Sequence, residues 1–348
     1  MSKIELLRLR EFRCFESLEY IPGPSFNFIT GANAQGKTSI LEAICLLLRL
    51  RSPRTPNLGE MVRFGGSGFS IEGMVEETRL SLTCLPPVRS LKIDGVAQTT
   101  SSDYLSKGRI LWFGSDDLGL VSGAAERRRR LLDSAGIQLK GRYSQDLKIY
   151  DRALRSRNLL LREGGHAREI AAYNIPLSES GDRIISARRE LVNALSPLAA
   201  DACQRIAGES LELEYQPGAS QPLLEALLAN REEELRLRQT RVGPQRDDVS
   251  IRLDGIPAGA FASEGQRRTI AVALKLAVAG LIQKEHTRPP ILLLDDIFGE
   301  LDPPRRNALL YGIPEESQVF ISTADLAGIA LPTASISLKL AQGILHHL

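Results

Sequence analysis

The sequence has no run of 18 or more apolar residues, the length that a helix needs to cross the apolar core of a bilayer. Its first residues include Lys3, Glu5 and Arg8 where a leader segment would be apolar. We therefore expect neither secretion nor membrane insertion, and no membrane partner. A cytoplasmic location is predicted.

Cysteine and aromatic residues are also scarce, and the net charge is close to zero. The four cysteines form no CxxC pair, which argues against a zinc site or a disulfide framework. Aromatic residues make up 5% of the chain, so we expect no stacking platform for bases and no sequence-specific base recognition. The net charge is +2, but residues 121–210 carry 16 Lys/Arg against 11 Asp/Glu. This local excess favours a polyanionic partner for the middle of the chain.

A phosphate-binding loop is the clearest motif present. Residues 31–38 read GANAQGKT and fit GxxxxGK(S/T), after a predicted strand at 26–30 and before a predicted amphipathic helix at 39–50. In such a loop, successive backbone N–H groups and the helix N-terminus surround an anion. Lys37 would bind the β and γ phosphates of ATP or GTP, and the Thr38 hydroxyl would ligate Mg²⁺. The predicted nucleotide contacts are Gly31, Ala32, Asn33, Ala34, Gln35, Gly36, Lys37, Thr38 and Ser39.

A second half of the site is predicted near the C-terminal end of the chain. The apolar strand at 291–294 ends in Asp295, which we expect on the Mg²⁺ side. Asp296 stands where a general base or a water-positioning group belongs. It is assigned here as catalytic, with an outer-shell acid that takes no part in proton transfer as the open alternative.

The middle of the chain differs in character from both ends. Residues 69–113 alternate apolar and polar side chains and predict a β-rich stretch that closes with a strand at 109–113. Two helical seams follow, one over 143–161 and one over 184–202, separated by a Gly- and Pro-containing stretch. They predict either a short helical hairpin or a compact helical subdomain, with Pro197 kinking or interrupting the second helix.

A third motif lies before the predicted helix at 266–284. The segment 261–268, FASEGQRR, resembles the signature of ATPase heads of the ABC and SMC type. In such heads this serine contacts the γ-phosphate of a nucleotide held by a second protomer. The resemblance assigns Ser263, Gly265 and Gln266 to nucleotide binding, with Ser263 and Lys37 counted as catalytic. It likewise assigns Asp302, within Glu300-Leu301-Asp302, to the D-loop.

Taken together, these motifs resemble the RecF family of bacterial DNA replication and repair proteins over nearly the whole chain. The similar segments are 7–15, the loop with 41–44 and 51–54, 116–133, 154–158, 243–248, 294–296 and 300–302. The resemblance implies an α/β fold, a P-loop ATPase head of the ABC/SMC type with an inserted short helical arm forming a second, mainly helical lobe. It implies head segments at 1–123 and 241–348 and an arm at 124–240.

The same resemblance implies a function. ATP and Mg²⁺ would close an ATP-dependent homodimer on double- and single-stranded DNA at gaps, with weak, DNA-stimulated hydrolysis acting as a timer. The protein would help RecO and RecR place RecA. Two positions depart from the pattern: Gln245 replaces a histidine, and Ala324 stands where the ABC-type switch histidine is expected.

Other functions stay open at this point. An ABC-type transport ATPase subunit and an SMC-like DNA tether share the head, and a DNA-binding module without hydrolysis shares the partner. The DNA-contacting residues are not located by sequence. The arginine pairs and runs at 127–130, 188–189 and 305–306 would suit either phosphate contacts or ion pairs inside the protein.

Overall fold

This computed structural model describes residues 3–326 and 329–347, which form strands and helices joined by turns and loops. The strands are β1 Ile4–Phe12, β2 Phe15–Tyr20, β3 Phe26–Thr30, β4 Phe69–Val75, β5 Thr78–Leu85, β6 Val88–Ile93, β7 Val96–Ala97, β8 Ile110–Phe113, β9 Leu211–Gln216, β10 Asp248–Leu253, β11 Ile256–Pro257, β12 Ile291–Asp295, β13 Val319–Thr323, β14 Ser335–Ala341 and β15 Ile344–His347. The helices are α1 Lys37–Arg49, α2 Ser102–Leu105, α3 Gly119–Ser122, α4 Ala125–Leu139, α5 Tyr143–Glu163, α6 Ala167–Ala172, α7 Asn174–Ala207, α8 Leu223–Ala229, α9 Arg231–Leu237, α10 Ala258–Phe261, α11 Glu264–His286 and α12 Pro303–Gly312. No helix within these residues combines the length and apolarity needed to span a membrane.

The chain divides into two compact units, residues 1–117 with 282–348 and residues 118–281. The first unit holds an antiparallel sheet in the order β2-β1-β4-β5-β6-β7 and a mixed sheet in the order β15-β14-β3-β13-β12-β8. The five strands from β14 to β8 in the mixed sheet are parallel. The β-rich stretch predicted at 69–113 and the strand at its end are confirmed, as is the α/β class. The division into segments 1–123, 124–240 and 241–348 that was predicted from the sequence stays a prediction, since the two units described above are defined by packing.

Helix α1 is the centre of the first unit. It contacts β12 and β13 of the mixed sheet and β4 and β5 of the antiparallel sheet. Every residue from 39 to 48 is buried, including Glu42. The apolar face predicted from the sequence is buried, and Ala43, Cys45 and Leu46 on the other faces are buried as well. A helix that is apolar all round belongs between two layers of structure.

The second unit is built on the predicted pair of long helices. Helix α5 packs against α7, and both share a core with α8 that contains Tyr150, Ile184 and Leu223. Helix α7 is longer than its seam predicted, because it begins at Asn174. It also continues through Pro197, so of the two predicted effects of this proline the interruption does not occur, and the kink stays a prediction. The proline side chain is exposed.

A buried arginine ties three helices of the second unit together. Arg157, 2% exposed, donates to Glu234 at 2.7 Å, to Thr240 at 2.7 Å and to Asn174 at 3.1 Å. These contacts join α5 to α7 and α9. Since the charges of a buried pair are both desolvated, removing one partner leaves the other uncompensated.

We predict that Glu234→Ala lowers the free energy of unfolding by about 3 to 5 kcal/mol, because Arg157 keeps its charge without a carboxylate. Urea titration followed by far-UV circular dichroism measures this. The matched control is Asp201→Ala, which removes an exposed partner of Arg205 on α7 and is expected to cost less than about 1 kcal/mol. Equal losses in the two variants would contradict the assigned role of the buried pair.

Candidate nucleotide-binding site

The loop between β3 and α1 has the backbone shape that the motif predicts. Gly31 and Gly36 have φ of 145° and 105°, in the range that favours glycine. A Cβ on Gly36 would lie 2.5 Å from the Cys14 sulfur and 2.8 Å from the Phe15 ring. Residues 32–34 form the exposed tip, and Gln35 accepts a hydrogen bond from the Gln342 N–H. Gly36 is therefore required both by its φ and by the close packing of Cys14, in the turn before β2, and Phe15, at the start of β2.

Lys37 lies at the start of α1, directly behind this loop. Its side chain is 8% exposed, and its Nζ donates to the carbonyl oxygens of Gly31 at 2.7 Å and Ala32 at 2.9 Å. An ammonium group has three donors, and the two contacts hold the charge against the loop. The lysine and the N-terminus of α1 thus present positive charge at one place.

Asp295 connects the loop to the neighbouring strands. Its Oδ1 accepts from the Thr38 hydroxyl at 2.8 Å and from the Ser322 hydroxyl at 2.7 Å. The pKa of the Asp295 carboxyl is raised, chiefly by burial and also by the neighbouring Asp296. The two hydrogen bonds and Arg54 act in the opposite direction and only partly offset this rise. Sequence reasoning missed Ser322. The signal available was a polar Ser-Thr pair at the end of a buried apolar strand.

The donor set around Asp295 fits a magnesium ion. A hydroxyl and a carboxylate are hard oxygen ligands of the kind that Mg²⁺ uses with phosphates and water. A partly buried carboxylate with a raised pKa is stabilised by a nearby cation. Thr38 and Asp295 are the residues that would hold the ion.

Asp296 is exposed and occupies a left-handed backbone conformation with φ of 54°. Its N–H is held by the carbonyl oxygen of Ser322 at 3.2 Å and the hydroxyl oxygen at 3.1 Å. These hydrogen bonds hold the backbone of Asp296 in place next to Asp295. Ala324, at the predicted position of a switch histidine, is also exposed. Beside it the Thr323 hydroxyl donates to the Asp325 carbonyl at 2.9 Å and closes the turn after β13.

A buried ion pair braces the segment that follows α1. Glu42 is fully buried and accepts from Arg13 Nε at 2.8 Å and Nη2 at 2.7 Å. It also accepts from the Ser52 hydroxyl at 2.5 Å, and Arg54 lies 3.8 Å away. These contacts hold residues 51–54 in place. Arg54 is thereby close enough to Asp295 to lower the pKa of its carboxyl. Sequence analysis had connected 51–54 with the site only through resemblance.

The signature segment lies in the second unit. Ser263 and Gln266 form a reciprocal pair before α11: the Gln266 N–H donates to Ser263 Oγ at 3.2 Å, and the Ser263 N–H donates to Gln266 Oε1 at 2.8 Å. The arrangement is a capping box at a helix N-terminus. The serine oxygen accepts in this contact, so its hydroxyl hydrogen can still be donated to another group. Gly265 lies in the first turn of the same helix.

Asp302 is the N-cap of α12. Its carboxylate accepts from the Arg305 N–H at 2.9 Å and forms an ion pair with the Arg305 side chain. The backbone hydrogen bond from Arg305 holds the pKa of Asp302 below its usual range. The side chain of Glu300, in the predicted D-loop, lies outside the described residues.

Most of the candidate DNA-contacting arginines form contacts within the chain, some buried and some at the surface. Arg128 pairs with Asp248 at 2.6 Å, and Arg129 donates to the Asp247 carbonyl. Arg188 is buried between Asp133 at 2.8 Å and Asp247 at 2.7 Å. Further contacts run from Arg130 to Glu126, Arg189 to Gln221, Arg305 to Asp302 and Arg306 to the Leu301 carbonyl. These contacts favour structural roles.

The segment 243–248 also has a structural use. Asp247 is fully buried and accepts from Arg188, from the Tyr215 hydroxyl at 2.5 Å and from the Gly218 N–H at 2.8 Å. Gln245, in place of the expected histidine, accepts from the Tyr150 hydroxyl and donates to the Val242 carbonyl at 2.9 Å. The segment thereby fastens β9, β10, α5 and α7 to one another.

The chain is similar to known proteins over nearly its whole length. Residues 3–338 match the family described as the RecF/RecN/SMC N terminal domain. The chain is 38% identical over 343 residues to the DNA replication and repair protein RecF of Symbiobacterium thermophilum, covering 93% of this chain and 92% of that protein. It is 35% identical over 347 residues to RecF of a Synechococcus species, with coverages of 93% and 91%.

The chain belongs to the RecF family. Solved structures agree with this assignment. The recombination mediator protein RecF with ATP, in the RecFOR pathway, superimposes on this RecF-family chain with a TM-score of 0.90 at 27% identity, covering 99% of this chain and 97% of that one. An Smc head bound to the C-terminal winged-helix domain of ScpA gives a TM-score of 0.56 at 18% identity, covering 99% and 96%, and shows the fold alone. The resemblance and the head fold expected from the sequence are confirmed.

We predict that Glu42→Ala exposes residues 51–54 of this RecF-family chain to proteolysis. Loss of the carboxylate leaves Arg13, which is 18% exposed, without its buried partner, and we expect a cost of about 2 to 4 kcal/mol. Native-state trypsin digestion should cut after Arg51 or Arg54 at least about five-fold faster, since local opening governs cleavage.

The matched control for this experiment is Glu19→Ala, which removes the partner of the exposed Arg8. We expect cleavage at 51–54 to be unchanged in the control. Protection of 51–54 in Glu42→Ala equal to that of the wild type would contradict the bracing role.

Proposed function

We propose that this RecF-family chain is an ATP-dependent DNA-binding protein of recombinational repair. Two copies would close on gapped DNA around ATP, and slow hydrolysis would release them. The observation that carries the proposal is the meeting of Thr38, Asp295 and Ser322 beside Lys37. The names of the relatives, DNA replication and repair proteins, supply the context, so the transport-subunit alternative is not carried further.

The proposed binding mechanism divides the nucleotide between two copies. Loop residues 31–39 of one copy would surround the phosphates, with Lys37 giving up its carbonyl contacts to bind them. Ser263, Gly265 and Gln266 of the other copy would approach from a helix N-terminus, where a hydroxyl donor and the helix dipole both favour an anion. Asp302 would adjoin this interface. Bound Mg²⁺, held by Thr38 and Asp295, would neutralise phosphate charge.

The proposed hydrolysis is slow. Asp296 would orient the attacking water and accept its proton, from a backbone position held by Ser322. It is one methylene shorter than the glutamate usual in ABC heads, and Ala324 offers no side chain to sense the γ-phosphate. Both features favour a timer that DNA stimulates. A similar protein, the recombination mediator RecF, acts in the RecFOR pathway. The partners of this chain would accordingly be RecO and RecR, with RecA loaded on single-stranded DNA next to a duplex, in the cytoplasm.

We predict that Lys37→Ala and Ser263→Asp both abolish ATP-dependent dimerisation. Aspartate at 263 keeps the N-cap acceptor but replaces the hydroxyl donor by a negative charge, so the loss cannot be ascribed to fraying of α11. Multi-angle light scattering with and without Mg²⁺ and ATP measures the dimer. The same dimer fraction with and without ATP in the wild type would overturn the proposed function.

We predict that Asp296→Asn lowers ATP turnover by about 100-fold or more, the contribution typical of a positioned base. ATP affinity should stay within about three-fold, because the exposed carboxylate does not shape the loop, and the dimer should persist longer. Single-turnover hydrolysis and nucleotide titration, both with DNA present, separate the two quantities. Unchanged turnover would assign Asp296 to the outer-shell role.

A further inference from the structure

Helix α5 presents a row of cations to solvent. Lys148, Arg152, Arg155 and Arg162 are all exposed, at intervals of four, three and seven residues. At 3.6 residues per turn these four side chains fall within an arc of about 80°. We refer to them as the α5 stripe.

The orientation of the stripe is set by the opposite face of α5. Tyr150, Ala153, Arg157 and Leu161 are buried, and they point about 180° away from the stripe. Arg157 locks that face through its bonds to Asn174, Thr240 and Glu234. The cations of the stripe are therefore held on the solvent side of a firmly seated helix.

The charges of the stripe are not neutralised by the protein. Within the described ranges 3–326 and 329–347, none of the four lies within 4 Å of a carboxylate oxygen. Arg155 and Arg162 each donate Nε to a carbonyl oxygen of their own helix at 3.2 Å, a contact that uses one of the five N–H donors of each guanidinium. The exposed acids Asp151 and Glu163 lie about 60° from the centre of the stripe, about 20° beyond its edges, so four cations are flanked by two acids and the face keeps a positive excess.

The stripe contrasts with the other arginines of the second unit. Arg128, Arg157 and Arg188 are each paired with a carboxylate. Like charges three and four residues apart repel one another on a helix, so the stripe does not help α5 to fold. Its charge pattern complements a regular polyanion.

We propose that the α5 stripe binds the phosphate backbone of DNA, an inference that rests on the proposed function. The 14 residue-to-residue steps from Lys148 to Arg162 span about 21 Å, which matches about six base-pair steps of 3.4 Å. No aromatic residue lies between the cations on this face, and the one exposed apolar side chain there is Leu159, 47% exposed. Contacts of this composition recognise phosphates and not bases, so the binding is independent of sequence.

The test compares the wild type with Lys148→Gln/Arg152→Gln/Arg155→Gln, and measures affinity for a gapped duplex with ATP at several salt concentrations. Arg162 is kept because it also stabilises the C-terminal end of α5. Losing three phosphate contacts should reduce the slope of log affinity against log salt by about 2.7 and weaken binding at 0.1 M salt by at least about 100-fold. ATP-dependent dimerisation should be unchanged.

A matched control removes the same charge from the same unit. Arg231→Gln/Arg236→Gln/Arg241→Gln changes three exposed arginines on and after α9, where Glu232 and Glu233 lie nearby in the chain. It should keep the wild-type slope and affinity within about three-fold. If the control loses as much affinity as the stripe variant, net charge alone acts and the inference is overturned.

The remaining outcomes separate the inference from the proposed function. A wild type that binds no DNA with ATP overturns the proposed function, and the inference with it. A wild type that binds DNA, with a folded stripe variant of equal affinity and slope, overturns the inference alone. Vesicles containing phosphatidylglycerol form a third arm: if the stripe variant loses vesicle binding but keeps DNA binding, the stripe serves a membrane surface and the inference is overturned.

Discussion

The site depends on one carboxylate oxygen. Asp295 Oδ1 accepts from Thr38 at the start of α1 and from Ser322 on β13. The two bonds join the phosphate-binding loop to two adjacent parallel strands, whose carboxyl ends meet at the same edge of the sheet. The raised pKa of this carboxyl reflects the burial that such a junction requires. Because the Asp295 carboxylate is also a predicted ligand of the metal ion, the packing of the sheet and the chemistry of the site are coupled.

Buried ionic groups organise the rest of the molecule in a similar way. Glu42 with Arg13 supports the segment after α1, Arg157 with Glu234 supports the face of α5, and Asp247 with Arg188 supports the elements around it. A buried ion pair contributes little net stability but is costly to break. Such pairs therefore specify which elements lie together more than they stabilise the fold. The α5 stripe is the complement of this pattern, since its cations lie outside every such pair.

Ser263 shows how one residue can have a structural and a chemical role. Its oxygen caps α11 through Gln266, and this contact leaves the hydroxyl hydrogen for an external acceptor. The cap also fixes where the hydroxyl lies relative to the helix axis. A serine preorganised in this way loses little entropy on meeting an anion, which suits a contact that forms and breaks with each nucleotide.

The sequence by itself determined the features that depend on neighbours in the chain. The phosphate-binding loop, the strand before Asp295 and the two long helices all follow from local spacing and periodicity. Tertiary structure alone decided the contacts between residues far apart in sequence. Ser322 reaches Asp295, Glu42 pairs with Arg13, and Arg188 is consumed by Asp133 and Asp247. No local pattern encodes which partner a charged side chain meets, so only the fold separates the arginines that hold the protein together from those that face solvent.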